Sequence, residues 1–455
     1  MNACVRVLAV VSVVVSGLVG GGCGAKQDPV VVGRGPAAGS AGAPFPACKA
    51  SGSWVTSPNP PTEIGGPGVP VGDETFCQFY QFAEQWFLSL VSPSSTAGSR
   101  VFETFNIVGP SGSTSCQAEQ ARLTGPRLAG REALRRSLFV RLTKPMTGDF
   151  DPTLPAELNQ ATQQGQFDQN GNVVLYAALY NSIECQATAA GFAPNTIEIK
   201  TSWRILPKPD PTYYTMNATV QFSTGSQNLL LGLVGFHMVI NTALHPEFIW
   251  VTFEHKSNSP DCNRPQPTPA AGWSFTSQTA AQCLANSGLN GCASFHFNQG
   301  AKATTPTGGT PTETCRTYPD GTDPVPPEVG PNGNRNALNQ FTIDTLNQQL
   351  VGPDGILTAL PAGNPMAVFA NYSMQGALWT NGGQDSVTAN QRGSLELANT
   401  TMETFAQSAP PAANTSCFGC HTFSTQTPLE VSHIYQGTSS KAAALKRRAA
   451  AGKTN

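Results

Sequence analysis

Two thiols and an imidazole stand together at Cys417-Phe418-Gly419-Cys420-His421, a stretch whose residue types and spacing form a complete reactive set. Thiols two residues apart can each form a thioether with one haem vinyl group, and the imidazole that follows is then placed to ligate the iron from one face. Gly419 has no Cβ to obstruct the macrocycle. The spacing therefore predicts one covalent haem c, with Cys417 and Cys420 as thioether residues and His421 as the proximal iron ligand. Three other chemistries share the pattern. A Cys417–Cys420 disulfide needs nothing else, whereas zinc needs two more ligands at suitable spacing and none lies close by. A thioredoxin-like redox pair needs a βαβ setting, and this stretch lies between a Pro-rich linker and a polar tail.

The ligand on the far side of the iron is less determined. No Met follows His421 before Asn455, so the haem must be covered by the preceding region or stay partly open. His433 is the favoured distal ligand, because the loop from His421 turns at Pro428 and can return an imidazole; a surface histidine is the equal alternative. His237, between Phe236 and Met238 in an apolar run, reads as a core histidine or as a ligand facing the haem. Met402 reads as packing against the haem edge rather than as a sulfur ligand. His245 and His255 flank the run that contains Trp250 and read as strand-end residues. Water is the remaining distal candidate. No phosphate loop, paired-histidine zinc motif or hydrolase elbow occurs. Carboxylates such as Glu198, Glu247, Glu254 and Glu403 are explained by salt bridges and capping.

Such a site needs export, and the beginning of the chain has that form. Residues 1–22 combine Arg6 with an apolar run from Val7 to Val19, too short for a membrane span, and read as a signal peptide. Gly20-Gly21-Gly22-Cys23 follows, small residues ending in cysteine as in bacterial lipoprotein signals, although Gly20 departs from the usual Leu. Lipidation of Cys23 is the expectation, and ordinary cleavage near Gly22 is the alternative. Residues 23–45 then form a lipoprotein tether rich in Gly, Ala, Pro and Val. A periplasmic, outer-membrane or cell-surface location follows, with membrane contact only through the lipid.

Composition agrees with that address. Charged residues make up 12% of the chain and the formal net charge is -2, which gives no nucleic-acid signature. Apart from Cys4, Cys23 and the haem pair, the cysteines are Cys48, Cys77, Cys116, Cys185, Cys262, Cys283, Cys292 and Cys315, an even set that suggests disulfides in an exported chain. Cys262–Cys315 enclosing Cys283–Cys292 is the expected pairing in the later part. All four fall in a Pro/Thr/Gly-rich stretch, about 256–334, that lacks hydrophobic periodicity and needs staples.

The elements that must position the motif lie in one α+β region, 46–405, with no repeat to divide it. Phe76, Phe79, Tyr80, Ala83, Phe87 and Leu90 recur at helical spacing, which predicts a core-facing helix over 75–91 with Asp73 as a possible cap. Asn170-Gly171 predicts a hairpin-type turn. Strand-like runs follow at Val173–Tyr180, Thr196–Ile205, Tyr213–Phe222, Leu229–Ile240 and Phe248–Phe253, which make a large, mostly antiparallel sheet with flanking helices. A second helix is expected over Ala337–Leu350 and a last strand over Pro365–Tyr372. Thr400 and Glu403 have capping-box spacing, which predicts a short helix from Thr401 that delivers the chain to the haem segment, 406–437. Residues 438–455 form a basic tail, solvated or frayed.

Beyond these patterns, Asn170-Gly171-Asn172, Ile197 to Arg204, Gly235-Phe236-His237, His245 to Trp250, Leu397 to Thr404, the haem motif and Ser432-His433-Ile434-Tyr435 resemble, in sequential order, exported bacterial proteins described as cytochrome c-like. The resemblance spans roughly 75–435 and departs in the Cys-rich stretch, which looks like an insertion. It implies haem binding and export without a defined reaction. Two functions fit: electron transfer between a redox partner protein or small-molecule donor and acceptor, or a haem enzyme or sensor with an open iron site for peroxide or a small organic ligand. A disulfide-stapled surface binding protein without haem is the third.

Overall fold

The computed structural model describes residues 48–107, 165–264, 266–317, 336–407 and 417–432, apart from 67, 97, 223–224 and 301–306. The signal peptide, Cys23, the tether, Cys116, His433 and the basic tail lie outside the described residues.

Among the described residues eight antiparallel strands form one sheet: β1 (Asn106–Ile107), β2 (Leu175–Tyr180), β3 (Ile197–Ile205), β4 (Thr215–Phe222), β5 (Gly225–Ile240), β6 (Ile249–His255), β7 (Tyr372–Thr380) and β8 (Gln391–Gly393). Their order is β1-β2-β3-β5-β6-β7-β8, with β4 pairing the first half of the long β5. The helices among the described residues are α1 (Ser53–Thr56), α2 (Phe76–Val91), α3 (Gln278–Gly291), α4 (Asn336–Val351) and α5 (Cys417–Cys420). The fold is α+β, as the alternation of the runs predicts. The Asn170-Gly171 turn also forms: Gly171 has φ 74°, and the Asp168 N–H donates to the Asn172 carbonyl at 2.9 Å.

Strand alternation gives the sheet two faces, and both are covered. On one, Trp203, Phe236, Met238, Val251, Phe253 and Trp379 meet α2 and α4. Phe79 stacks on Trp379 with centroids 3.9 Å apart and Phe87 on Phe253 at 3.8 Å, pairs worth about 0.5–1.5 kcal/mol each beyond their burial. Helix α2 starts at a capping box. Gln78 N donates to Thr75 Oγ1 at 3.3 Å while Thr75 N donates to Gln78 Oε1 at 2.8 Å, so Thr75, not Asp73, is the cap.

The opposite face carries Glu198, Lys200, Ser202, His237, Val239, Trp250, Thr252 and Glu254 in adjoining rows of β3, β5 and β6. Two irregular segments, 394–407 and 417–432, lie over it. They bury Leu395, Phe418, Phe423 and Val431 beside Val239, Phe248, Trp250 and Leu378, and separately Met402 beside Tyr176, Val234 and Phe275.

Two sequence expectations need correction. The strand placed at Pro365–Tyr372 is a 3-10 turn over Ala367–Asn371, and the strand begins where it was expected to end, at Tyr372. Asn364 starts that turn by accepting the Met366 N–H at 2.9 Å on its side chain, a local bond that outcompetes extension. The helix expected from Thr401 is also absent; turns there lead only to a 3-10 segment, Thr404–Ala406. Glu254 and His237 on the sheet draw off the side chains of the supposed capping box.

Cys262–Cys315 and Cys283–Cys292 form as expected. Cys48–Cys77 ties the start of the described chain to α2, and Cys185 is also disulfide-bonded. The stapled stretch is bonded to the sheet: the Arg316 guanidinium bridges Asp261 and Glu254 of β6, each at 2.7 Å.

Candidate functional site

The haem-motif segment is held to the sheet by local bonds of its own. Helix α5 is a single turn, closed by the His421 N–H donating to the Cys417 carbonyl at 2.9 Å. Phe423 and Ser386 exchange two bonds, Phe423 N to Ser386 Oγ at 2.9 Å and Ser386 N to the Phe423 carbonyl at 3.0 Å. Thr425 N donates to Asp385 Oδ1 at 2.7 Å. The segment then turns through a 3-10 stretch, Pro428–Val431, and Ser432 Oγ donates to Glu184 Oε1 at 3.4 Å.

That return brings a carbonyl to His421. His421 Nδ1–H donates to the Val431 carbonyl at 3.0 Å, because a carbonyl can only accept. A neutral imidazole so fixed carries its lone pair on Nε2, the arrangement in which a histidine ligates a metal. The ring centroid lies 4.4 Å from that of Trp250, and Phe418 meets the same indole edge-on at 6.0 Å. Phe248, fully buried beside them, takes a φ of 64°, unusual for an aromatic residue, which turns its ring into this cluster.

Neither Cys417 nor Cys420 is in a disulfide; Cys417 is half-buried and Cys420 exposed. Burial pushes both thiols up from their ordinary pKa, and the nearby Glu403 carboxylate adds to it. A thioredoxin-like nucleophile needs the opposite shift, toward thiolate at neutral pH. Among the described residues no three His, Cys, Asp or Glu side chains are grouped as a directly bound metal ion would need. The residues do fit haem c: two thiols one turn apart, an imidazole oriented from behind, and an apolar wall of Phe418 and Trp250.

Segment 394–407 supplies the other half of the site. Asn399 Nδ2 donates to Thr252 Oγ1 at 2.8 Å, Thr400 N to Glu254 Oε1 at 2.7 Å, and Ser202 Oγ bonds Thr401 Oγ1 at 2.6 Å. Thus anchored, Glu403 accepts from His237 Nε2 at 2.6 Å and from Asn399 N at 3.1 Å on the same oxygen. Burial works against ionisation of its carboxyl, but the His237 imidazole bonded to it and the nearby Lys200 hold that carboxyl below the usual range. His237 lies opposite Thr252 and Trp250 opposite Val239, so the two side chains are diagonal neighbours on one face.

The distal candidates thus separate in space. His237 is beside the motif but commits Nε2 to Glu403. Met402 is fully buried in the other cluster, with Tyr176 and Phe275, apart from the aromatic group around Phe418. His433 is outside the described residues. His245 packs toward the helical face, against Phe79, and bonds Glu247 at 2.9 Å and Glu74 at 3.3 Å. His255 stacks on Tyr213 with centroids 3.9 Å apart and bonds the Thr212 carbonyl at 3.0 Å. The pairing of Glu403 with His237, the Trp250 contact and the Val431 acceptor were not found from sequence. Strand alternation carries a signal for the first two, since it puts His237, Lys200 and Trp250 on one face; nothing in the sequence marks the third. Compared with protein-family models, curated proteins and solved structures, the chain matches none.

Proposed function

We propose that the chain carries one covalent haem c, on thioethers from Cys417 and Cys420 with His421 Nε2 as the proximal ligand, and that it works as an exported electron-transfer protein. The observation that carries this reading is the bond from His421 Nδ1 to the Val431 carbonyl, which orients the imidazole beside two thiols outside any disulfide. A bound haem would supply one-electron chemistry at its iron. The protein's own contribution is to hold His421 against Trp250 and to place the Glu403 carboxylate near the motif. Negative charge and burial are levers on the potential. The electrons would pass to or from a redox partner protein or a small-molecule donor or acceptor. Signal-directed export and lipidation at Cys23 belong to the same proposal, since haem is attached to c-type proteins outside the cytoplasm.

A second reading, an open iron site that takes peroxide or a small organic ligand, is favoured by one specific feature. The 2.6 Å bond to Glu403 holds His237 away from ligation while leaving an acid–imidazole pair beside the motif. His433 as distal ligand would instead close the iron.

The deciding experiment is intact mass under denaturing conditions, with the visible spectrum, after expression with c-type maturation machinery. One added haem mass is expected, and Cys417→Ala with Cys420→Ala should abolish it while the far-ultraviolet circular dichroism of the sheet persists. Correctly matured protein without haem would overturn both haem readings. In the loaded protein, a six-coordinate low-spin spectrum supports transfer, and a high-spin spectrum that responds to cyanide supports the open site.

A further inference from the structure

Two carboxyl groups meet beside Ser432 of the haem-motif segment. Glu198 points from β3 on the motif side of the sheet, opposite Tyr180 of β2 and Val239 of β5. Glu184 lies on the 3-10 helix Ser182–Gln186 that follows β2. The two carboxyl groups are neighbours within hydrogen-bonding reach of each other, both are buried, Glu184 2% and Glu198 8% exposed, and no N–H or O–H donor among the described residues reaches the buried Glu184 Oε2. Two carboxylates cannot bond without a hydrogen between them, so the pair holds a proton. Ser432 Oγ donates to Glu184 Oε1 at 3.4 Å, and Ser432 is itself buried. The preceding residue, Val431, is the one whose carbonyl fixes His421 Nδ1.

The geometry points to a positioning role for this acid pair: Glu184 and Glu198, sharing one proton, latch Ser432 to the sheet and so hold the Val431 carbonyl against His421. Loss of that proton puts two charges in a buried site, where repulsion and desolvation both act to separate them. The stretch that opens is the one that carries the histidine's acceptor. The charged and titratable groups around the pair come from three elements. Lys200 is two residues along β3 on the same face, Tyr180 is on β2, and His421 and Glu430 are on the segment. Glu430 is committed to Thr427 Oγ1 at 3.1 Å. Burial, the Glu198 charge and their mutual hydrogen bond all raise the Glu184 pKa, against which the Ser432 bond works. The latch is therefore closed at the acid side of its transition and open at the alkaline side.

The structural half of this inference stands without a cofactor; its effect on the iron rests on the haem reading above. The test is amide hydrogen exchange across 428–432, corrected for intrinsic rate, from about pH 6 to about pH 10, a range that spans a carboxyl strongly raised by burial. It is run on the full chain with haem and on the C417A/C420A variant without it. Wild type should gain roughly tenfold in corrected exchange on the alkaline side. Glu184→Gln keeps a donor and acceptor without a titrating proton and should remove that step, and Glu198→Gln should do the same if the first variant fails to fold. In loaded protein the Soret band should shift over the same pH interval and stay fixed in the Gln variants. An exchange profile that is equally flat, or equally steep, in wild type and both variants overturns the latch, whatever the haem content. The exchange step without haem in either preparation would uphold the latch and sink the haem reading.

Discussion

A single missing side chain, at Gly235, lets the motif-side covering reach the sheet. A Cβ built there would lie 2.4 Å from Ser202 Oγ, 2.6 Å from Thr401 Oγ1 and 2.9 Å from Asn399 Oδ1. All three atoms belong to the bonds that hold segment 394–407, two of them backed by β3 or β6. Gly235→Ala should therefore cost about 1–3 kcal/mol by overpacking, read as a lower denaturant midpoint at unchanged slope. It should also loosen Glu403 from His237, read as a change in the His237 imidazole resonance. An alanine variant as stable as wild type, with that resonance unmoved, would show that the contact is not a constraint. The glycine was visible in sequence only as part of Gly235-Phe236-His237; its steric role depends on a segment far along the chain, which no local pattern announces. His237 was legible as a residue facing inward from an apolar strand. Its carboxylate partner was not, because capping-box spacing gave Glu403 a local explanation and a tertiary partner won.

The elements were legible where one signal dominated. Helix α2 and strands β2 to β6 follow from helical and alternating periodicity, and the ends move by a few residues only. The sequence failed where side chains bond across the fold. Thr400 serves Glu254 on β6 instead of capping a helix, and Asn364 closes a turn just ahead of β7. The disulfides give a test at this scale. Cys262–Cys315 closes a separation of 53 residues and Cys283–Cys292 one of 9. Loop-closure entropy then makes loss of the first the costlier by about 1.5 kcal/mol, beyond the few kcal/mol each carries. Paired Cys→Ser variants compared by guanidinium unfolding check this. The longer link also holds Arg316, one residue from Cys315, against Glu254 and Asp261, so its loss should additionally expose β6 to hydrogen exchange. Equal midpoints for the two variants would mean that the unfolded chain is already restrained in this stretch.

Across the whole molecule, buried titratable groups set a pH profile whose sign can be worked out. His245, between Glu74 and Glu247, has its pKa moved by burial, which lowers it, and by its two carboxylate partners, which win and raise it from 6.5 to about 9. Its contribution is complete below pH 6.5 and is lost as pH rises through 9, on the order of 3 kcal/mol in all. Burial acts unopposed on Glu84 in α2 and raises it from 4.5 to about 8, so stability falls as pH climbs through that interval. His255 is the reverse case. Burial lowers it from 6.5 to about 4, so stability is lost as pH falls through that interval while the unfolded chain takes up the proton. Between pH 4.5 and 6.5 the Glu84 and His255 slopes oppose each other, and above pH 6.5 the His245 and Glu84 slopes add. Lys256, lowered by burial to about 8, offsets them only at higher pH. Urea unfolding across this range should show stability falling with pH and falling most steeply from pH 6.5 to 8, where the shared proton of Glu184 and Glu198 adds to the slopes of Glu84 and His245. Glu84→Gln should flatten that fall by about 2 kcal/mol, and His245→Gln should lower stability at every pH while removing a further share of the slope, leaving that of the Glu184–Glu198 pair. A stability maximum on the alkaline side in wild type would contradict the charged His245 bridge on which this profile depends.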